Sequence, residues 1–295
     1  MLLIAVLLCF IGFSVADSNE YDDTTARYKY FPLFSAAFIN TPQKCLDNTW
    51  PTMKIHNIIS IRNCSASIYP QTHCFMYSSV NQAEKIIAIT FRGTDTSVQM
   101  SEEIMSYFVT HMPFFDSGNV YAYFYEAFLK IWSSGLSNDV RTLKYLYPDY
   151  TFYITGHSLG ASMASIAASY IVKIGLYKPE QIKLMTFGQP RTGDKAFADW
   201  HDQTFPYSFR VVHHKDVVPH IPPQIDLVFK NTLQHHKTEV WYNNNMTIGD
   251  PYSVCKHDDG LHCSNLNVDD RWSDHMNYFN HDLNTWPEQH CPKDF

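Results

Sequence analysis

The sequence is short of charge, and of positive charge in particular. Lysine and arginine number 22 against 29 aspartates and glutamates, and charged residues make up 17% of the 295 positions. A chain that grips nucleic acid carries the opposite balance, so a nucleic-acid partner is not expected. Past residue 16 no apolar run approaches bilayer length, so no transmembrane anchor is expected either. Linkers, repeats and low-complexity stretches are missing, which predicts a single domain over residues 17–295. The 15 histidines include no His-x-x-x-His pair with an acidic helper. His213-His214 and His235-His236 are neighbours, and adjacent strand residues point to opposite faces, so neither a metal nor another cofactor is expected. What the chain has in quantity is apolar and aromatic matter: 45% hydrophobic residues, with 20 phenylalanines and 19 tyrosines. That is enough for a full core or an apolar binding surface.

Residues Met1 to Ala16 are uncharged and apolar and end on the small residues Ser14 and Ala16, and polar Asp17 follows at once. This is the pattern of a cleaved secretion signal, so an extracellular protein is expected. Its removal takes Cys9 and leaves Cys45, Cys64, Cys74, Cys255, Cys263 and Cys291. An even count in a secreted chain reads as three disulfides, whose connectivity the count alone leaves open. The sequons at Asn63 and Asn245 predict glycosylation in the same compartment.

The middle of the chain alternates strand and helix. Lys85–Phe91, Tyr150–Thr155, Gln181–Phe187, Ser208–His213 and Thr238–Tyr242 read as strands, the first four β-branched or aromatic runs closed by turn residues. Helical stretches at Tyr121–Ser134, Asn138–Tyr145 and Leu159–Ile174 lie between them. Alternation of this kind predicts an α/β fold, a mainly parallel central sheet with helices on both faces.

One motif stands above the rest. Gly156-His157-Ser158-Leu159-Gly160 follows the second strand and opens the longest helix, whose first residues are small. G-x-S-x-G between a strand and a helix is a nucleophile elbow of the α/β-hydrolase kind. The sharp turn strains the serine and exposes its hydroxyl, and the glycines let the backbones approach. A serine needs a histidine to take its proton and a carboxylate to fix that histidine's tautomer. In such sheets the acid and then the histidine follow the serine. Asp216 follows a later strand, with Asp194 and Asp226 as rivals that spacing does not exclude. Many histidines come after Ser158, and His275 is the latest with an aromatic-rich helical continuation, Met276-Asn277-Tyr278-Phe279. His157, beside the nucleophile, reads as scaffold rather than base, and Val217–Pro223 as rigid support behind Asp216.

Five ordered motifs carry a resemblance over roughly Cys45 to Cys291: Phe91-Arg92-Gly93-Thr94, Thr155 to Gly160, Phe187 to Asp194, Asp216 to Pro223, and Asp274-His275. Together they resemble the class 3 lipases, the secreted fungal-type triacylglycerol lipases and their animal relatives. The resemblance implies Ser158 as nucleophile, Asp216 as orienting acid and His275 as general base, with Thr94 and the Leu159 N–H as the oxyanion hole. It also implies Cys45–Cys291, tying the N-terminal helix to the C-terminus, with Cys64–Cys74 and Cys255–Cys263 as local loops. The long closure is worth about 4–5 kcal/mol on the chain-entropy account. The chain departs from the family pattern at Ala161, usually glycine, at Tyr123, usually glycine, and at Ser97-Val98-Gln99-Met100, which lacks the tryptophan of several fungal members.

The resemblance places a lid after Thr94. Thr96-Ser97-Val98-Gln99 has the capping-box pattern, and Ile104, Phe108 and Met112 recur at helical spacing. A mobile amphipathic lid would expose its apolar face and the acyl groove together at a lipid–water interface. The implied activity is cleavage of acylglycerol carboxylic esters through an acyl-enzyme, a triacylglycerol lipase. A phospholipase A1 or an aryl or feruloyl-type esterase on the same scaffold is the alternative, followed by a non-catalytic lipid-binding glycoprotein and, more distantly, a serine protease.

Overall fold

The computed structural model describes residues 19–64, 73–93, 110–223, 233–257, 259, 263–266 and 271–293. Outside them fall the expected leader, Thr94, the lid residues from Thr96 to Phe108, and the rival acid Asp226.

A helical N-terminal segment enters α1 (Phe31–Ala36), and α2 (Pro42–Thr49) follows. The strands are β1 (Met53–Arg62), β2 (His73–Asn81), β3 (Ile86–Phe91), β4 (His111–Pro113) and β5 (Asn119–Tyr121). Helices α3 (Ala122–Ile131) and α4 (Ser137–Leu146) precede β6 (Thr151–His157), and α5 (Leu159–Lys173) precedes β7 (Ile182–Phe187). Then come β8 (Gly193–Asp194), α6 (Lys195–Thr204), β9 (Ser208–His213), β10 (Leu233–Gln234), β11 (Glu239–Tyr242), β12 (Ser253–Cys255) and α7 (Trp272–His275).

Eight strands form the main sheet in the order β1-β2-β3-β6-β7-β9-β11-β12. From β3 to β11 every pairing is parallel, and these five strands are those legible in the sequence. Antiparallel neighbours flank them: β1 and β2 on one side, β12 on the other. Residues alternate between two buried layers, as the pleat requires. Ile87, Ile89, Phe152 and Ile154 face the layer with α3, α4 and α5, while Ile86, Ala88, Tyr153 and Phe187 face the layer with the N-terminal helices and the C-terminal segment. Phe34 on α1 is fully buried in that second layer, and its truncation to alanine should cost about 3–5 kcal/mol.

One expectation needs correction. Met112 lies on β4, not on a helix: it pairs with Val120 of β5, and the adjoining Pro113, without an N–H, cannot continue a helical ladder. The helix expected over Tyr121–Ser134 runs as α3 to Ile131 and widens over Trp132–Leu136, and the helical conformation breaks at Gly135, which takes φ 140°.

The disulfides join Cys45 to Cys291, Cys64 to Cys74 and Cys255 to Cys263, with Cα separations of 4.9, 5.8 and 6.3 Å. Asn63 and Asn245 are both exposed. Among the described residues, no helix is long and apolar enough to cross a membrane.

Candidate active site

Ser158 sits between the end of β6 and the first residue of α5, with φ 57° and ψ −127°. A side chain rarely adopts that conformation, and here the surroundings enforce it. The Ser158 N–H is held by the Phe187 carbonyl at 2.9 Å. A Cβ on Gly156 would lie 2.3 Å from the Gly160 carbonyl oxygen, and one on Gly160 would lie 2.4 Å from the Phe91 carbonyl oxygen. Both glycines are therefore dictated by close backbone approach. Gly93 backs onto the serine in the same way, 3.1 Å from the Ser158 Cβ to the Cβ it lacks. The residue after Gly93 is Thr94, and Leu159 is the first residue of α5, so its N–H has no partner in the helix ladder.

The structure brings Asp216 and His275 together. The His275 Nδ1 donates to Asp216 Oδ2 at 2.9 Å, with both side chains buried. Tyr278 donates its hydroxyl to the same oxygen at 3.1 Å, and the Val218 N–H donates to Oδ1 at 2.9 Å. Burial by itself would raise the Asp216 carboxyl. The neighbouring His275 charge and these hydrogen bonds outweigh it and hold the acid below the usual carboxylate range. Burial, reinforced by the negative Asp216, pushes the Tyr278 phenol well up, so it remains a donor.

Three further hydrogen bonds fix the segment that carries the histidine. The Lys215 N–H donates to Asp274 Oδ2 at 3.1 Å and the Arg271 N–H to the Lys215 carbonyl at 2.7 Å, stitching α7 to the loop that carries Asp216. His157 Nε2 donates to the His275 carbonyl oxygen at 2.8 Å, and the two rings lie 4.3 Å apart. Burial, then the adjacent His275, holds His157 well below the ordinary imidazole range, so it is a neutral donor. Its ring is enclosed by Phe34, Phe38 and Tyr278, at 5.7, 5.8 and 5.6 Å. The elbow, the N-terminal helices and the C-terminal segment thus meet around one imidazole. Neither the Tyr278 bond nor the His157 bond was visible in the sequence, although both residues lie within the motifs that mark the site.

The rival acid Asp194 is occupied elsewhere. It caps α6 through Phe197 N–H at 2.9 Å and takes two donors from Asn119, at 3.0 and 2.8 Å. Among the described residues, His201, Asp202 and His236 form the one group close enough to share a cation. Their geometry argues against it. The two rings are stacked 3.7 Å apart, so their lone pairs run in near-parallel planes. His236 Nε2 already meets Ser165 Oγ and Gln189 Nε2, both at 3.1 Å, and Arg210 adds positive charge nearby. His213 and His235 are likewise engaged by backbone carbonyls.

Comparison with known proteins agrees with the reading. The family described as lipase (class 3) matches residues 88–225. Lipase ZK262.3 of Caenorhabditis elegans is 33% identical over 290 residues, covering 89% of this chain and 80% of its own. A protein of Fusarium solani named secreted mono- and diacylglycerol lipase 1 is 35% identical over 120 residues, 40% of this chain and 33% of its own. The crystal structure of a lipase from Rhizopus microsporus var. chinensis superposes with a TM-score of 0.73 at 25% identity, over 86% of this chain and 85% of that one. An α/β sheet with a strained elbow serine, a buried acid–histidine pair and this likeness over nearly the whole chain lead to one conclusion: the protein belongs to the class 3 lipase family of the α/β-hydrolase superfamily, and is a lipase-type carboxylic ester hydrolase.

Proposed function

We propose that the protein is a secreted lipase that cleaves acylglycerols, triacylglycerols among them, with Ser158 as nucleophile, His275 as general base and Asp216 as orienting acid. The observation that supports the triad is the buried Asp216–His275 hydrogen bond, with the His275 ring 4.3 Å from that of His157, the neighbour of Ser158 in the elbow. His275, held through Nδ1, leaves Nε2 to take the Ser158 proton as the hydroxyl attacks the ester carbonyl. The Leu159 N–H and Thr94 receive the oxyanion, and each such donor is worth about 3 kcal/mol of the barrier. The proton then passes to the departing alcohol, and water repeats the sequence in reverse to release the fatty acid. Asp216 stays ionised throughout, stabilising the imidazolium, in keeping with its depressed pKa.

Secretion is supported by the apolar leader at residues 1–16, by three disulfides, and by exposure of the sequon asparagines Asn63 and Asn245. Residues 17–295 then fold as one lipase domain. The likeness to the Fusarium mono- and diacylglycerol lipase favours a second substrate reading, mono- and diacylglycerols. The test is the initial rate on a triacylglycerol as its concentration crosses the solubility limit, with a monoacylglycerol in parallel and Ser158→Ala as blank. A steep rise at the emulsion, absent in the variant, supports a triacylglycerol lipase with a lid that opens at an interface. Saturation below that limit would mean an esterase working on dissolved substrate and would remove the lid, and turnover of the monoacylglycerol alone would remove triacylglycerols from the proposal.

A further inference from the structure

Arg191 makes none of the hydrogen bonds described around Ser158 and His275, yet its surroundings are built with unusual completeness. It is buried, and all five guanidinium N–H groups have acceptors. Nη1 donates to the carbonyl oxygens of His220 and Pro222, at 2.6 and 2.7 Å. The Arg191 backbone N–H takes the carbonyl between them, that of Ile221, at 2.9 Å. Nε and Nη2 both reach Asp259 Oδ1, at 3.0 and 2.7 Å, and Nη2 also approaches Asn265 Oδ1 at 3.5 Å. Asp259 is as buried as its partner, and its second oxygen accepts the His235 N–H at 2.9 Å. One arginine thus holds three successive carbonyls of the segment that leaves Asp216, and one carboxylate holds the arginine. That carboxylate sits inside the short loop closed by Cys255 and Cys263.

The held segment leads back to the acid through a stiff spacer. Val218–His220 is a tight turn, with His220 N–H on the Val217 carbonyl at 3.0 Å and Ile221 N–H on the Val218 carbonyl at 3.1 Å. Its first residue supplies the N–H that orients Asp216 Oδ1. Moving residues 220–222 therefore moves the Val218 N–H, and with it the angle at which Oδ2 meets His275. We infer that Arg191 and Asp259 are positioning residues for Asp216, an ion-pair clamp that sets the acid–histidine geometry from outside the site. The inference rests on the triad reading above. The clamp acts on turnover rather than on substrate binding, because its contacts run to the loop backbone behind the acid.

The groups around the histidine that a displaced Asp216 would leave in place are His157 on β6, Tyr278 beyond α7, and Asp274 on α7 itself. None can take over the Asp216 role, since His157 and Tyr278 are donors and Asp274 is spent on Lys215 and His214.

The experiment measures kcat and KM on a dissolved short-chain p-nitrophenyl ester for the wild type, Arg191→Lys, Arg191→Ala and Asp259→Asn, per folded molecule by circular dichroism. Ser158→Ala is the reference. In folded Arg191→Lys and Asp259→Asn, kcat should fall about tenfold or more with KM within about twofold, as small misplacement of a catalytic group does. Millimolar guanidinium ion should restore part of the Arg191→Ala rate and leave the wild type unchanged. Wild-type kcat in folded variants, or a loss confined to KM, overturns the clamp. Asp259→Asn keeps the outline of the site and decides the matter where an Arg191 variant does not fold. If Ser158→Ala is inactive while the clamp variants turn over normally, only the clamp fails; if Ser158→Ala retains activity, the triad reading fails first and the clamp with it.

Discussion

Four buried histidines should make this protein acid-labile well above the range where carboxylates protonate. Burial holds His157, His201, His235 and His236 below the ordinary imidazole range, aided by His275 beside the first and by Arg210 beside the other three. His236 is brought down to about 3. In the unfolded chain each takes a proton near pH 6.5. Below that value the unfolded chain binds more protons than the native one, so stability falls as pH falls, and the loss continues until the depressed native values are reached. Because the unfolded imidazole is only partly protonated across this span, each such histidine loses about 1.4 kcal/mol in total between about pH 7.5 and about pH 5.5, so four together lose about 5 kcal/mol. At about 2 °C per kcal/mol for a chain of this size, the melting temperature should drop by about 10 °C. Differential scanning calorimetry at fixed scan rate and ionic strength measures it. His201→Phe sharpens the test. His201 is fully buried, neither ring nitrogen has a hydrogen-bond partner, and its ring stacks on His236 and near Phe205. A phenyl ring there keeps the packing, so the variant should lose about a quarter of the pH-dependent shift. A melting temperature that moves by less than about 3 °C over the same interval would refute the reasoning.

Asp216→Asn should fold and lose about 10⁴ in kcat, some 5 kcal/mol of barrier, because an amide facing His275 Nδ1 favours the wrong tautomer; steady-state kinetics on a dissolved ester measures it. Gly188→Ala should lower kcat by about 100-fold, since Gly188 has φ 56° and a Cβ would lie 2.7 Å from His275 Cε1 and 2.9 Å from Asp216 Oδ2; kinetics with a folding check by circular dichroism tests it. Replacing both Cys45 and Cys291 by serine removes a closure across 246 residues and should cost about 5 kcal/mol, read as a lower denaturation midpoint in urea.

The parallel centre of the fold was legible because its strands are almost wholly buried. Ile86–Phe91 and Ile182–Phe187 are mainly apolar, broken only by Thr90 and by Lys183 and Thr186, and end at glycine-bearing turns, a signal that needs no tertiary context. The β1–β2 pair was not, because β1 is an edge strand: Met53–Arg62 mixes exposed and half-buried residues and carries a bulge near His56. Its identity depends on β2 and on Gln43, which accepts the Ile55 N–H at 2.8 Å. The site divides in the same way. Ser158 was marked by local turn chemistry, whereas Asp216 and His275 became specific only through the family resemblance, since spacing left Asp194 and Asp226 open. Tyr278, His157 and the Arg191–Asp259 pair act through contacts between residues up to 118 apart in sequence, which no local pattern encodes. Met112 was misplaced because residues four apart share a face in a strand as well as in a helix, and the short strand β4 that carries it is paired by β5.

The central claim is that Ser158 is the nucleophile, activated by the His275–Asp216 pair. The most direct measurement is inactivation by a fluorophosphonate, followed by peptide mass spectrometry and residual activity on an emulsified acylglycerol. The account predicts a single adduct on the peptide carrying Ser158, loss of activity in proportion to labelling, and no adduct in Ser158→Ala. Full labelling of Ser158 with activity retained, or inactivation with the adduct on another residue, would contradict it.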